Sequence, residues 1–219
     1  MFSRRAPKVR DGREKFARAK QNAKIAPMRK IVFDIETSNT FRDTGSSDPK
    51  SLDLSVVCIY DYKTDKYECF FQEDLPKLWK ILEDTSIIIG FNSDHFDLPL
   101  LDKYFPGDLT QIKSLDILKE IHSSLGRRIR LDEIAEATLG ENKSGHGLQA
   151  IKWWAEGKKE QVAEYCKQDV KITKEIYDYA MKNSKLLYKE LGQIKEIPID
   201  TSNWEKISSG PVLNRTLPF

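Results

Sequence analysis

Three runs rich in β-branched and aromatic residues, KIVFDIE (30–36), LSVVCIYDY (54–62) and KYECFF (66–71), give way to apolar residues at helical spacing. This change of period is the feature that most constrains the fold. Only KTD separates the second and third runs, which predicts a hairpin and hence a meander of three strands. Leu75, Leu78, Trp79 and Leu82 then mark a helix, and SIIIGFN reads as a short, fully buried strand. A helix beginning near Phe96, a short strand at 112–114 and a helix carrying Ile117, Leu118, Ile121 and Leu125 follow. Residues 131–139 form another helix, stopped by Gly140. ENKSGHG is a loop, after which a short helix at 151–154 and a long one from about 159 to 191 are expected. Antiparallel strands followed by alternating strands and helices predict an α/β fold of three layers, with a mixed central sheet and helices on both faces.

The folded body is expected over residues 28–192, with a basic arm at 1–27 and an extended tail at 193–219 that carries Pro198, Gly210, Pro211 and Pro218. Hydrophobic residues at 39% and charged residues at 32% are the proportions of a water-soluble globular chain. A net charge of +2 is too small to imply a nucleic-acid partner, but residues 1–30 hold eleven Lys and Arg against only Asp11 and Glu14. Such a block serves as an arm that touches phosphates, as a solvated tail, or as an organelle-targeting leader, against which its two acids count. The three cysteines, Cys58, Cys69 and Cys166, lie far apart in apolar or periodic stretches and read as buried thiols. Neither they nor the histidines have the spacing of a zinc site. No apolar run could span a bilayer, and an intracellular, cytoplasmic protein is expected.

The chemistry lies in the acids. Asp34 and Glu36 are two apart in a strand, so both project from one face while Phe33 and Ile35 project from the other. No Lys or Arg alternates with them, so a divalent cation is a natural counter-charge. Asp97 follows the apolar strand near a helix start, where an acid gains roughly 0.3–1 kcal/mol from the helix dipole. Asp94 beside it fits a structural N-cap. On the long helix Val162, Cys166, Thr173, Ile176 and Ala180 form an apolar stripe that contains Asp169, with Tyr165 one turn earlier. A carboxylate on a buried face has to be hydrogen-bonded, paired or metal-bound. Taken singly, each acid also suits a bland role: a solvated strand end, a cap, a structural Tyr–Asp pair.

Their order is more specific than any one of them. FDIET with Asp34 and Glu36, N-x-x-x-F-D with Asn92, Phe96 and Asp97, and Y-x-x-x-D with Tyr165 and Asp169 resemble the DEDD superfamily of 3′–5′ exonucleases. That superfamily is DnaQ-like, shares the ribonuclease H-like fold and includes polymerase proofreading domains; Tyr165 in place of histidine corresponds to its DEDDy branch. The resemblance covers residues 30–185. It implies hydrolysis of phosphodiester bonds at single-stranded 3′ ends of DNA or RNA, with two divalent cations, Mg²⁺ or Mn²⁺, held by Asp34, Glu36, Asp97 and Asp169. It also implies that Tyr165 orients the attacking water, and that Thr37 and Ser38 meet the terminal nucleotide. Asn92 would hold the third acid or the substrate backbone, and Phe96, with Phe41, would stack on bases. A partner in a replication, repair or RNA-processing assembly fits such an enzyme. The competing expectations are a ribonuclease H-like endonuclease using the same acids and a catalytically silent nucleic-acid-binding module.

Overall fold

The computed structural model describes residues 28–140 and 147–207. The basic arm, the loop that carries His146 and the last residues of the tail lie outside them. Strand β1 (Arg29–Thr37) is followed by a one-turn helix α1 (Phe41–Thr44), then β2 (Leu54–Asp61), β3 (Lys66–Phe71), helix α2 (Leu75–Glu83) and β4 (Thr85–Gly90). Next come α3 (Asp97–Asp102), β5 (Lys113–Asp116), α4 (Ile117–Leu125), α5 (Leu131–Leu139), α6 (Gly147–Ala155) and α7 (Lys159–Asn183). Strands β6 (Lys185–Glu190) and β7 (Gln193–Pro198) complete the fold.

The main sheet has the order β3-β2-β1-β4-β5. Its β3-β2-β1 half is antiparallel, the expected meander, while β4 and β5 run parallel to β1. Parallel neighbours require crossovers, and the helices that provide them bury both faces. One face packs Ile31, Phe33 and Ile35 of β1 against Leu75, Leu78, Leu82, Leu100 and Leu101 of α2 and α3. The other packs Val32 and Val56 under α7, whose inward stripe includes Val162, Cys166, Val170, Ile176 and Ala180. Each fully buried aliphatic side chain stabilises this arrangement by roughly 1.5–3 kcal/mol. These are the three layers expected, with helices on both sides of a mixed sheet.

The structure departs from the sequence reading at three points. Cys58 and Cys69 are not thiols: the hairpin register places them opposite each other on β2 and β3, and they form a disulfide. Cys166 alone is a buried thiol. The long helix ends at Asn183 rather than near 191, because Ser184 takes a left-handed conformation and β6 begins at once. The segment expected as an extended tail starts as β7, joined to β6 by a tight turn in which Leu191 and Gly192 both have positive φ. Beyond it the chain returns to the sheet. Trp204 stacks on Tyr177 with ring centroids 5.6 Å apart, and Glu205 accepts a 2.7 Å hydrogen bond from the Tyr177 hydroxyl and pairs with Lys30.

Candidate active site

The alternation of β1 sends Asp34 and Glu36 toward α7, where Asp169 occupies the middle of the buried stripe. Carboxylate oxygens of the three lie within 4.8 Å of one another; Glu36 and Asp169 are buried and Asp34 is half-buried. The Cys166 thiol donates to the Asp34 carbonyl oxygen at 3.2 Å and ties the helix to the strand at this level. Burial raises that thiol's pKa well above its ordinary value, with Asp34 and Glu36 adding to the effect, so Cys166 acts as packing rather than as a nucleophile. Among the described residues these three acids are the only group of His, Cys, Asp or Glu able to hold a metal ion. Hard oxygen donors gathered so closely fit a divalent cation such as Mg²⁺ or Mn²⁺.

Asp97 stands behind this group. It is buried at the start of α3 and accepts a 3.1 Å hydrogen bond from the Ile35 backbone N–H, which fastens it to β1 between Asp34 and Glu36. Burial pushes its carboxyl up to about 7, and the nearby charges of Asp116 and Asp169 act the same way against the Ile35 hydrogen bond. Tyr165 is 8% exposed and packs edge-on against Trp153, with ring centroids 6.2 Å apart. It belongs to the same buried stripe of α7 as Asp169.

A cleft of about 410 Å³ opens beside Glu36 and is lined by Thr37, Phe41, Leu52, Phe96 and Leu148 among others. The Phe41 and Phe96 rings meet edge to face at 6.1 Å. Phe41 is held there by α1, which Thr40 and Asp43 close with a capping box. Thr37 and Phe96 both line this cleft, and the Ser38 N–H donates to the Asp53 carbonyl at 2.8 Å. Asn92 lies apart from the cleft. Its φ of +65° is in the left-handed region, and its side-chain oxygen accepts from Arg128.

Two contributors were missed. Leu148 of α6, 67% exposed at the cleft mouth, follows a loop whose path the sequence does not reveal. Asp116, at the end of β5, accepts hydrogen bonds from the N–H groups of Asn92 (2.8 Å), Asp94 (3.1 Å), Leu118 (3.0 Å) and Lys119 (3.4 Å). One carboxylate therefore caps α4 and holds the loop that delivers Asp97. Its sequence signal was an acid ending a short strand just before a helix, a pattern that also describes an ordinary N-cap. Replacing Asp116 leaves two loop N–H groups without their acceptor at about 1–3 kcal/mol each and removes a cap worth about 1 kcal/mol. Asp116→Ala is therefore expected to lower Tm by roughly 5–15 °C and to weaken Mn²⁺ binding measured by calorimetry, with Asp116→Asn intermediate. Unchanged Mn²⁺ affinity in the folded variants would restrict Asp116 to capping.

A family model of the RNase H superfamily matches residues 31–181, the span that holds all of these acids. The chain belongs to the RNase H superfamily. Among solved structures this RNase H superfamily chain resembles the family B DNA polymerase of the hyperthermophilic archaeon Pyrobaculum calidifontis, with 19% identity and a TM-score of 0.56. The match covers 71% of this chain and 25% of the polymerase, so the likeness is one of fold over a quarter of that protein. No curated protein matches the sequence. An RNase H-like nuclease fold with a buried acidic cluster is a fold for metal-dependent hydrolysis of nucleic acid. No helix among the described residues is long and apolar enough to cross a membrane.

Proposed function

We propose that this protein is a 3′–5′ exonuclease of the DEDDy type that acts on single-stranded ends of DNA or RNA. The observation that carries this reading is the convergence of Asp34, Glu36 and Asp169 within 4.8 Å, with Asp97 fastened to β1 beside them. Asp34, Glu36, Asp97 and Asp169 would hold two divalent cations. Bound there, the cations would lower the pKa of water and stabilise the charge on the leaving oxygen. The chain's own groups do the rest. Tyr165, on the stripe of α7 that carries Asp169, positions the attacking water. Phe41, Phe96 and Leu148 give the cleft an apolar wall on which a terminal base can stack without regard to its identity, and stacking of this kind contributes roughly 1–3 kcal/mol per base. Thr37 lines the same cleft, and the backbone at Thr37 and Ser38 would meet the terminal nucleotide.

A compact cleft of about 410 Å³ beside the acids suits a terminal nucleotide more than a continuous strand, which is why the exonuclease is preferred to an endonuclease on the same fold. Incubation of 5′-labelled single-stranded DNA and RNA with Mg²⁺ or Mn²⁺ tests the proposal. A metal-dependent ladder shortening from the 3′ end is expected. Discrete internal fragments would establish the endonuclease instead, and intact substrate together with tight binding would establish a silent binding module. A protein partner in replication, repair or RNA processing, and a cytoplasmic location, belong to the same proposal.

A further inference from the structure

The loop between β4 and α3 is a ridge with different ground on its two sides. Phe96 lines the cleft, whereas its neighbour His95 lines a second pocket of about 340 Å³. Lys119, His122 and Arg128 join His95 there, together with Asp94 and Asp116. Two of the chain's three histidines thus meet from separate segments, outside the acid cluster.

The two acids in this pocket face the protein. Asp116 spends its oxygens on backbone N–H groups, and Asp94 accepts from the Ser114 hydroxyl and pairs with Lys119 at 3.1 Å. The donors face outward: His95, His122 and Arg128 are exposed. Arg128 uses one N–H in its bond to the Asn92 side chain, and a planar guanidinium carries five. Among the described residues these side chains form no group whose ligand atoms converge on a metal ion. An apolar ligand is disfavoured because Leu118 is the pocket's one apolar lining residue. Exposed His, Lys and Arg donors on an open surface are the chemistry that meets phosphate oxygens. The pocket also lies at the carboxyl ends of the parallel strands β4 and β5, where ligands of α/β sheets bind.

We propose that this pocket is a backbone-phosphate subsite for the nucleotides upstream of the scissile end. A single strand whose 3′ terminus enters the cleft would cross the ridge at His95 and Phe96 and lay its next phosphates against Arg128, His122 and Lys119. Substrate grip is then divided: the cleft takes the terminal nucleotide through stacking, and the pocket takes the strand through charge, independently of base. The inference rests on the exonuclease reading for the direction of the strand, but its binding claim can be tested without cleavage.

The test uses the full chain and compares the parent with Arg128→Ala and the double variant Arg128→Ala/His122→Ala. Both replaced side chains are exposed, so folding should be preserved, and circular dichroism melts check this. Steady-state cleavage of a dinucleotide and of an octanucleotide is measured over a range of salt. For the octanucleotide, KM is expected to rise at least about tenfold and the salt slope to fall by about one for each phosphate that is no longer neutralised; dinucleotide kinetics should stay within about twofold of the parent's. Octanucleotide KM and salt slope unchanged in both variants would overturn the proposal, as would equal losses on both substrates, which would place these residues in the cleft's own machinery. If the parent cleaves neither substrate, the exonuclease reading fails and fluorescence anisotropy with a phosphorothioate octanucleotide decides the subsite alone. Weaker binding by the variants sustains it, and equal binding removes it.

Discussion

Asp34→Ala and Asp169→Ala are each expected to reduce cleavage of a labelled single strand by on the order of 10³-fold or more, which is the scale of losing a group that stabilises transition-state charge. The three acids are so close that each removal would deprive a cation held there of an oxygen ligand that the other two could not replace. The same crowding predicts an opposite effect on the fold. Without a cation, like charges within 4.8 Å repel, so either variant should melt in EDTA at or above the parent's temperature. Loss of cleavage with an undiminished Tm separates a functional acid from a structural one. Full cleavage by both variants would remove the cluster from the reaction.

The second large effect concerns Asp97. A carboxyl raised to about 7 in the folded protein, chiefly by burial, binds its proton more tightly there than in the unfolded chain. Its stabilising contribution is therefore complete below the unfolded pKa near 3.8, declines as pH rises from about 4 toward 7, and is absent above that. At about 1.4 kcal/mol for each pKa unit, the ionised carboxylate costs on the order of 4 kcal/mol at pH 8. Asp97→Asn keeps an acceptor for the Ile35 N–H and cannot ionise, so it should melt about 5–15 °C above the parent in EDTA at pH 8 and nearly with it at pH 4. Added Mn²⁺ should reverse the order, stabilising the parent by mass action and the variant much less. Melting temperatures that run parallel across this range would show that Asp97 is not the strained acid.

Much of this was legible from period and order. The KTD turn and the return to helical spacing foretold the meander, the parallel half and the three layers. The two-residue step from Asp34 to Glu36 and the stripe around Asp169 put acids on faces that the fold turns toward each other. The disulfide was in principle readable too: a hairpin centred on KTD sets Cys58 opposite Cys69, but the register had to be worked out before sequence distance could be set aside. The end of α7 was not readable, because KLLYKE suits a helix or a strand and only the left-handed Ser184 decides between them. Asp116 hid behind its own ordinary function, since an acid that caps a helix looks the same whether or not it also holds a neighbouring loop. Asn92 was expected to hold the third acid or the substrate backbone; with φ of +65° it lines the second pocket, beside Arg128.

The contact of Lys30 with Glu205 brings the first and last described stretches side by side at the start of β1, away from the acids at its other end. The pairing closes the described fold on itself at the end of β1 opposite the acids. A change at this clasp would therefore be felt at one end of β1 while the acids, at the other, keep their places on the same strand.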